Sequence, residues 1–346
     1  MISSPLEPLS TAPVDPVVAA LPKADLHIHQ EWGARLDRVL ARREGRPCYD
    51  WHAWAERLMR DTPPGAARLA HLAPFGSMSQ ELDAVPENFV ARVADLLTEA
   101  AADGAVLVEV RFGNETVLRP DFMALFREAE RRVQARYPRL RAEALVTLIL
   151  WSAPERVERV LEACIAAQRE GLAGVDLLYK PYETEAEWEA IYRVAERAAS
   201  AGLGVTVHAG EVSTANIAAA LKVPGLTRLG HAVYAAQDPR LLELVAASGV
   251  TVECCLSCNV VMGAVASYEE HPIRRFIRHG IPVALCTDDP VQVCTTIGRE
   301  YAIAHTLGFS AAELLDITGT AIQASFAPEE RRAALLSELR GDNDPA

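Results

Sequence analysis

Histidines and carboxylates recur at the carboxyl ends of the short apolar segments that the sequence predicts as strands. His27 and His29 end the first segment, and their i, i+2 spacing puts both side chains on one face. Later segments contribute further groups of the same kind, namely His208, His231, Asp288 and Asp289. If the strands close into a barrel, all of these side chains converge on one mouth, which is where barrel active sites lie.

Four of these residues carry the donor atoms of a mononuclear catalytic metal site, which needs imidazoles or carboxylates and one position open to water. They are His27, His29, His208 and Asp288. Binding to a metal lowers the pKa of water towards about 7, so hydroxide becomes available at neutral pH. The nitrogen-rich set predicts one zinc ion per chain, although Fe²⁺ or Co²⁺ would also fit it.

Three further polar residues accompany the predicted ligands. Glu211 follows His208 on the loop that leaves the strand, so its carboxylate can reach the cavity as a proton shuttle. His231 is expected to orient the attacking water, and Asp289 is free to hydrogen-bond the substrate. Glu211 alone also has a structural interpretation, because the helix dipole favours a Glu near the start of a helix. The other histidines are expected at the surface or in a cap, namely His52, His71, His271, His279 and His305.

Eight apolar segments, rich in Val, Leu and Ile as buried parallel strands are, alternate with amphipathic helical stretches. The predicted strands are Ala24–His29, Val106–Phe112, Glu143–Trp151, Leu172–Tyr179, Gly204–Ala209, Arg228–Val233, Val250–Cys255 and Ile281–Thr287. Between the first two, Phe89, Val93 and Leu97 repeat at helical spacing. Eight strands alternating with helices predict an α/β fold, the (β/α)8 TIM barrel.

The connection between the first two predicted strands is much longer than any later one. Because it leaves the carboxyl end of the first strand, residues 30–90 are predicted to form a helical cap inserted over the pocket. Four prolines among small residues predict an extended arm over residues 1–20, and residues 341–346 are expected to form a flexible tail. A single barrel domain is therefore expected over residues 21–340.

The composition of the 346-residue chain narrows the classes of function. Half of the residues are hydrophobic and 23% are charged, which excludes a disordered or fibrous protein. The net charge of −13 argues against nucleic acid polymers as partners, since these require a basic surface. Seven cysteines do not make a disulfide framework in a chain of this length. The sequence lacks a signal-peptide pattern and a bilayer-spanning apolar run, so a cytoplasmic protein without a membrane partner is expected.

Five motifs, in this order along the chain, resemble those of the adenosine deaminase family in the amidohydrolase superfamily. They are Pro22–His29 (PKADLHIH), Val108–Phe112 (VEVRF), Val207–Glu211 (VHAGE), Arg228–His231 (RLGH) and Thr287–Pro290 (TDDP). The ligands that the resemblance implies for one zinc ion in a (β/α)8 barrel are His27, His29, His208 and Asp288. It also implies that Glu211 donates a proton to the ring nitrogen, that His231 assists the attacking hydroxide and that Asp289 hydrogen-bonds the purine.

The chain departs from the family pattern at two places that are expected to face the substrate. After the second histidine the family usually has Leu-Asp-Gly, whereas this chain has Gln-Glu-Trp at 30–32. Glu31 is one methylene longer than the family's ribose-contacting Asp, and Trp32 replaces a glycine. After the fourth strand the family often has Ala-Gly-Asp-Glu, where this chain has Leu-Tyr-Lys-Pro at 178–181. The residues expected to contact the substrate are Glu31, Trp32, Tyr179 and Asp289.

These motifs predict a zinc-dependent hydrolytic deaminase that releases ammonia from a 6-aminopurine, such as adenosine or adenine, or from a related amino-heterocycle. The altered sugar and purine contacts predict that adenosine is not the best substrate. Two other functions remain open: hydrolysis of a cyclic amide or ester, because an activated hydroxide also attacks carbonyl carbons, and a non-catalytic barrel that binds a ligand. The expected partner is a small molecule, and the sequence leaves the oligomeric state open.

Overall fold

A computed structural model describes residues 14–32, 35–45, 49–113, 115–179 and 188–341 of the chain. Within these residues, eight parallel strands form one sheet in which each strand pairs with the next along the sequence. The strands are β1 (Lys23–His29), β2 (Ala105–Gly113), β3 (Arg141–Ile149), β4 (Gly174–Leu178), β5 (Gly204–Ala209), β6 (Leu226–His231), β7 (Thr251–Cys254) and β8 (Val283–Leu285). Every residue of β1 is buried, as expected of a strand that is covered on both faces.

Strands β1 and β8 meet where the sheet closes on itself. The closing contact in the described chain is a parallel bridge between Ile28 and Asp288. The backbone N–H of His29 donates to the carbonyl of Asp288 at 2.9 Å, and the N–H of Asp288 donates to the carbonyl of His27 at 2.7 Å. The sheet is therefore a nearly closed barrel, which confirms the predicted fold, and its seam holds three of the predicted metal ligands together.

Helices follow the strands and cover the outside of the barrel. The α-helices are α1 (Pro16–Ala20), α2 (Leu36–Glu44), α3 (Trp51–Asp61), α4 (Ala66–Leu69), α5 (Ala73–Asp83), α6 (Pro86–Ala102), α7 (Phe122–Gln134), α8 (Pro154–Gln168), α9 (Glu189–Ser200), α10 (Ile217–Ala220), α11 (Pro239–Ser248), α12 (Leu256–Val261), α13 (Ile273–Arg278), α14 (Ile297–Thr306), α15 (Ala311–Ala324) and α16 (Glu329–Arg340). Two 3₁₀ helices cover Thr116–Leu118 and Val233–Gln237. In α6, the residues that repeat at helical spacing in the sequence are buried, as predicted.

The connection between β1 and β2 contains the helices α2 to α6. Helix α6 packs against β2 and α7, like the other helices around the barrel. The four-residue helix α4 instead brings Ala66 and Leu69 to a cavity at the carboxyl ends of the strands. The connection is thus helical and reaches the mouth of the barrel, while the exact limits of a cap over residues 30–90 stay a prediction.

Five predicted strands, the third, fourth, sixth, seventh and eighth, end one or two residues earlier in the structure than the sequence predicts. The sixth predicted strand extends to Val233, but β6 ends at His231 because His231 and Ala232 have φ angles of 64° and 53°. These left-handed conformations are incompatible with a continuing strand. The third predicted strand extends to Trp151, whereas β3 ends at Ile149. Both turns bring the residues that follow to the mouth of the barrel.

The described part of the N-terminal segment is helical at the position where the sequence predicts an extended arm. The Asp15 carboxylate accepts a hydrogen bond from the N–H of Val17 at 2.8 Å, and it caps the short helix α1. Residues 1–13 of the predicted arm and 342–346 of the predicted tail lie outside the described residues. No helix in the described ranges is both long enough and apolar enough to cross a membrane.

Candidate active site and metal centre

Three histidine rings meet at the carboxyl ends of β1 and β5. The Nε2 atoms of His27, His29 and His208 lie between 3.0 and 3.3 Å from one another. Asp288 follows β8, and its Oδ1 lies 3.5 Å from the Nε2 of His27 and 3.4 Å from that of His29. The structure thus brings together the four residues that the sequence predicts as metal ligands.

A carboxylate holds each of these histidines at its Nδ1 atom. The pairs are His27 with Glu253 at 2.6 Å, His29 with Glu31 at 2.9 Å and His208 with Asp176 at 3.0 Å. Because an ionised carboxylate only accepts hydrogen bonds, each Nδ1 carries a proton and each Nε2 is the ring atom that remains to bind a cation. Three ring nitrogens that converge in this way need a cation, either a proton or a metal ion, between them. Carboxylate–histidine pairs of this kind orient metal ligands. The four residues fall within groups that could hold a metal ion, one of which consists of His27, His208, His231 and Asp288, so this end of the barrel fits a divalent metal ion.

The electrostatics of the cluster also favour a positive charge. Burial opposes protonation of His208, but the adjacent Asp176 carboxylate outweighs burial and raises the pKa of His208 to about 9. Burial lowers the pKa of His27 well below its ordinary value. A metal cation would therefore take the place of a proton at His208 and supply the charge that Asp176 and Asp288 stabilise.

A buried arginine connects two of these carboxylates beneath the histidines. The guanidinium of Arg111 lies 2.8 Å from Asp176 and 2.6 Å from Glu253, and all three side chains are fully buried. Burial disfavours the charge on Arg111, but the two carboxylates outweigh burial and raise its pKa. Asp176 and Glu253 are not among the site residues that the sequence predicts. The signal that could have found them is an acidic residue in the middle of an apolar strand.

Glu211 lines the cavity beside the histidine cluster. Its side chain is largely buried, and its Oε2 lies 3.8 Å from the Nε2 of His231. Burial and the nearby negative charge of Asp288 raise the pKa of Glu211 to about 8. The carboxyl group is therefore protonated at neutral pH, which is the state in which a carboxylic acid donates a proton.

His231 and Asp289 face the same cavity from the ends of β6 and β8. Among the described residues, the Nε2 of His231 has no hydrogen-bond partner and lies 3.7 Å from the Oδ2 of Asp288. Burial lowers the pKa of His231 to about 3, so its ring is neutral. The Oδ1 of Asp289 is likewise buried without a partner in the described chain, and burial together with Asp288 raises the pKa of Asp289 well above its ordinary value. Unpartnered polar atoms at a cavity indicate where a ligand binds.

The cavity at the mouth of the barrel has a volume of 330 Å³. Its lining includes histidines and carboxyl groups as well as apolar side chains. The larger apolar lining residues are Trp32, Leu69, Leu72, Trp151 and Leu178. Within the described ranges, no Lys or Arg lines this cavity. The described lining therefore combines polar, titratable side chains with apolar and aromatic ones.

Glu31, which the sequence predicts as a substrate contact, lies behind a predicted metal ligand. Its Oε1 accepts a hydrogen bond from the Thr147 hydroxyl at 2.8 Å and lies 2.9 Å from the Nδ1 of His29. It is not among the residues that line the cavity. In this geometry the longer side chain of Glu, compared with the family's Asp, reaches a histidine ring rather than the cavity.

The two aromatic residues predicted as substrate contacts are placed differently from each other. Trp32 lines the cavity. Tyr179 packs edge-on against Trp188, with ring centroids 4.5 Å apart, and does not line the cavity. Residues 180–181, which the sequence comparison after the fourth strand includes, lie outside the described residues.

His271 differs from the expectation that it lies at the surface or in a cap. Its side chain is buried, and its Nε2 lies 3.1 Å from the Oδ1 of Asn259. His271 lies between α12 and α13, and its contact with Asn259 of α12 holds a histidine that belongs to no strand in the interior. Sequence periodicity carries no signal for such a fold-back.

The sequence model of the adenosine deaminase family matches residues 22–341. The chain belongs to the adenosine deaminase family. As a member of this family it is an aminohydrolase that acts on the C–N bonds of cyclic amidines. The family is metal-dependent, in agreement with the donor set of the barrel mouth.

Two curated relatives are adenine deaminases. The protein from Mesorhizobium japonicum is 30% identical over 335 residues, which cover 92% of this chain and 98% of that protein. The protein from Rhizobium leguminosarum bv. trifolii is 41% identical over 149 residues, which cover 42% of this chain and 46% of that protein. The second match thus spans about half of each chain.

Solved structures share the fold of this adenosine deaminase family member. An adenine deaminase from Arthrobacter aurescens has a TM-score of 0.76 and 22% identity, covering 93% of this chain and 99% of its own. An amidohydrolase from Burkholderia ambifaria, solved with bound zinc, has a TM-score of 0.77 and 19% identity, covering 96% of this chain and 94% of its own. At these identities the likeness concerns the barrel fold.

Proposed function

We propose that this adenosine deaminase family member is a zinc-dependent enzyme that hydrolyses the amino group of a 6-aminopurine or a related amino-heterocycle and releases ammonia. One observation carries the proposal: the Nε2 atoms of His27, His29 and His208 converge beside the cavity that Glu211 lines. Hydrolytic deamination needs an activated water and a proton donor on the same substrate. The barrel mouth supplies groups for both tasks within one site.

The residues that would hold one zinc ion per chain are His27, His29, His208 and Asp288. When bound, zinc lowers the pKa of a water molecule and makes a nucleophile available at neutral pH. The carboxylate partners at the Nδ1 atoms fix the orientation of the three rings, so that each Nε2 is directed towards the position of the metal. Three nitrogen donors and one oxygen donor suit zinc.

Glu211 would carry the proton that the reaction requires at the ring. Glu211 lines the cavity and would donate to the ring nitrogen beside the amino-bearing carbon; burial and the charge of Asp288 raise its pKa, which favours the protonated form that this step needs. Protonation makes that carbon electrophilic, so water adds to it. The Glu211 carboxylate then accepts one of the two protons of the added water and passes it to the amino group, which leaves as ammonia. As the carbonyl group forms, the remaining hydroxyl proton returns to Glu211, which ends the cycle protonated.

His231 and Asp289 would position the reactants. Asp289 keeps a buried oxygen without a partner in the described chain, and its raised pKa allows a protonated carboxyl group that hydrogen-bonds a ring nitrogen. His231 faces the oxygen that attacks the ring and assists its addition. Neither residue is required to hold the metal, so their loss is expected to lower turnover and leave the metal content unchanged.

The apolar and aromatic residues that line the cavity favour a flat substrate. Trp32 and Trp151 offer aromatic faces against which a heterocycle can stack. A nucleotide phosphate would need basic partners, and none lines the cavity in the described part of the chain. We therefore place a free base such as adenine above adenosine, and adenosine above adenine nucleotides, as the preferred substrate. The relatives named adenine deaminases support placing adenine first.

We further propose that residues 30–90 act as a cap on a single barrel domain over residues 21–340. Helix α4 and the residues around it, including Leu69 and Leu72, form part of the apolar cavity wall. A lid of this kind excludes water other than the attacking molecule from the reaction.

Ammonia release by the zinc-loaded protein tests the proposal across adenine, adenosine, AMP, an aminopterin and a cyclic amide. We expect the highest kcat/KM for an uncharged amino-heterocycle and the lowest for AMP. Trp32→Ala should change the order of substrates, whereas Trp54→Ala, in helix α3 and outside the cavity lining, should leave the order unchanged. Release of ammonia from none of the amino-heterocycles, with turnover of the cyclic amide, would contradict the proposal.

A further inference from the structure

Three buried side chains form a hydrogen-bonded chain that ends at the cavity. The Nδ1 of His231 lies 3.1 Å from the Nδ2 of Asn259, and the Oδ1 of Asn259 lies 3.1 Å from the Nε2 of His271. At its far end, the backbone N–H of Ile273 donates to the Nδ1 of His271 at 3.2 Å. All three side chains are at least nine-tenths buried, so water does not compete for these bonds.

The backbone amide at the far end determines the direction of every bond in this chain. A backbone N–H is always a donor, so the Nδ1 of His271 carries no proton and its Nε2 carries one. That Nε2–H donates to the Oδ1 of Asn259, which orients the amide so that its Nδ2 donates to His231. The opposite orientation of Asn259 would place two donors against each other at His271. The amide orientation thus follows from a contact whose polarity is known.

The Nδ1 of His231 consequently accepts a hydrogen bond, which leaves the ring proton on Nε2. A doubly protonated His231 would also point its Nδ1–H at the Asn259 amino group, which is unfavourable. The Nε2–H therefore faces the cavity, 3.7 Å from the Oδ2 of Asp288 and 3.8 Å from the Oε2 of Glu211. In this state the atom donates a hydrogen bond and cannot accept a proton.

We infer that Asn259 and His271 are positioning residues that hold His231 as a hydrogen-bond donor rather than as a base. The inference rests on the proposed function, because the acceptor for the Nε2–H is the oxygen that attacks the substrate ring. A fixed donor aimed at developing negative charge stabilises the transition state without moving a proton. Glu211 then remains the proposed proton-transfer group, whereas His231 donates a hydrogen bond and keeps its proton.

The tautomer of His231 can be measured without any assay of activity. Histidine-selective ¹⁵N NMR of the zinc-loaded protein distinguishes a protonated from an unprotonated ring nitrogen, and a His231→Gln spectrum assigns the signal. We expect a protonated Nε2 and an unprotonated Nδ1 on His231. A proton on Nδ1 instead would overturn the inference. The spectrum keeps its meaning even if no amino-heterocycle releases ammonia, which is the outcome that would overturn the proposed function alone.

Asn259→Asp reverses the polarity of the chain at nearly constant shape. A carboxylate accepts from both histidines, so the proton of His231 should move to Nδ1 and Nε2 should face the cavity as a lone pair. We expect kcat to fall by roughly 10²–10³, the loss typical of removing one such donor, with KM and zinc content little changed. Wild-type kcat in a variant that has lost the Nε2 proton would overturn the inference.

Asn88→Asp is the matched control. Asn88 is also buried, and its Nδ2 donates to the carbonyl of Leu82 at 3.0 Å in a region that does not line the cavity. The same change of amide to carboxylate there should leave kcat and the His231 signal as in the wild type. If Asn259→Asp does not fold, the wild-type spectrum alone decides the tautomer.

Discussion

Glu211 and the histidines face the same cavity, but the loss of each has a different consequence. Glu211→Gln removes the proton donor and preserves the shape of the side chain, so zinc content should be unchanged. Turnover should fall by roughly 10²–10⁴, the usual contribution of a general acid–base group. Steady-state kinetics on the best amino-heterocycle, with metal analysis of the same sample, measures both effects. Near-normal turnover would show that another group moves the proton.

The carboxylates behind the histidines should control metal affinity. Asp176→Asn weakens the hydrogen bond to the Nδ1 of His208 and removes a charge partner of Arg111, so zinc affinity should fall by roughly 10–100-fold. Competition with a chelator of known affinity measures the change. Glu143→Gln is the control, since Glu143 is a buried strand carboxylate that pairs with Arg127 instead of a histidine. Equal zinc affinity in both variants would refute the role of Asp176.

At the scale of elements, a buried carboxylate joins α14 to the start of α12. Glu300 accepts a hydrogen bond from the backbone N–H of Ser257 at 3.2 Å and from the Thr295 hydroxyl at 2.6 Å. Burial outweighs these bonds and raises the pKa of Glu300 to about 7, from an ordinary value of 4.5. The folded chain therefore binds this proton more tightly than the unfolded chain does.

This pKa difference predicts how stability changes with pH. Below pH 4.5 both states carry the proton, and the contribution of Glu300 to stability is fully present. As the pH rises to 7 and above, the folded state must give up a proton that it holds tightly, so the free energy of unfolding falls by about 3 kcal/mol. Glu300→Gln should lose less thermal stability than the wild type between pH 5 and pH 8. Parallel melting curves over that range would contradict the prediction.

At the scale of the whole molecule, the proposed metal would join strands that are far apart in the sequence. Its ligands lie at the ends of β1 and β5 and just after β8, so a bound ion would tie the seam of the barrel to the opposite side. An ion that binds only the folded state stabilises it by mass action. Chelation should therefore lower the melting temperature and abolish deamination, and zinc should restore both.

A variant that lacks one of the proposed metal-ligating residues separates loss of the metal from any general action of the chelator. His208→Ala removes one of the imidazoles, so its melting temperature should respond little to chelator or to added zinc. The measurement is calorimetry with and without chelator, together with the zinc content per chain. Fully active protein that contains no metal, or a wild-type melting temperature that does not respond to zinc, would contradict the proposed centre.

Local patterns in the sequence determined the fold class and the residues at the mouth of the barrel. A period of two places His27 and His29 on one face of a strand, and the alternation of apolar strands with amphipathic helices predicts a barrel. The carboxyl ends of the strands of a barrel share one mouth. The positions of His208 and Asp288 at predicted strand ends were therefore sufficient to predict that they meet at the same site. The structure confirms the barrel and places these residues together, while their roles in binding and catalysis stay proposals.

Only the tertiary structure decided which atom of each residue faces which partner. Glu253 lies 226 residues from His27 in the sequence, and Asn259 lies 28 residues from His231, so no local spacing connects them. Glu31 matches a family position expected at the substrate, yet its carboxylate lies against His29. Periodicity specifies the face on which a side chain lies, whereas hydrogen-bond partners, tautomers and burial depend on the register in which distant strands close.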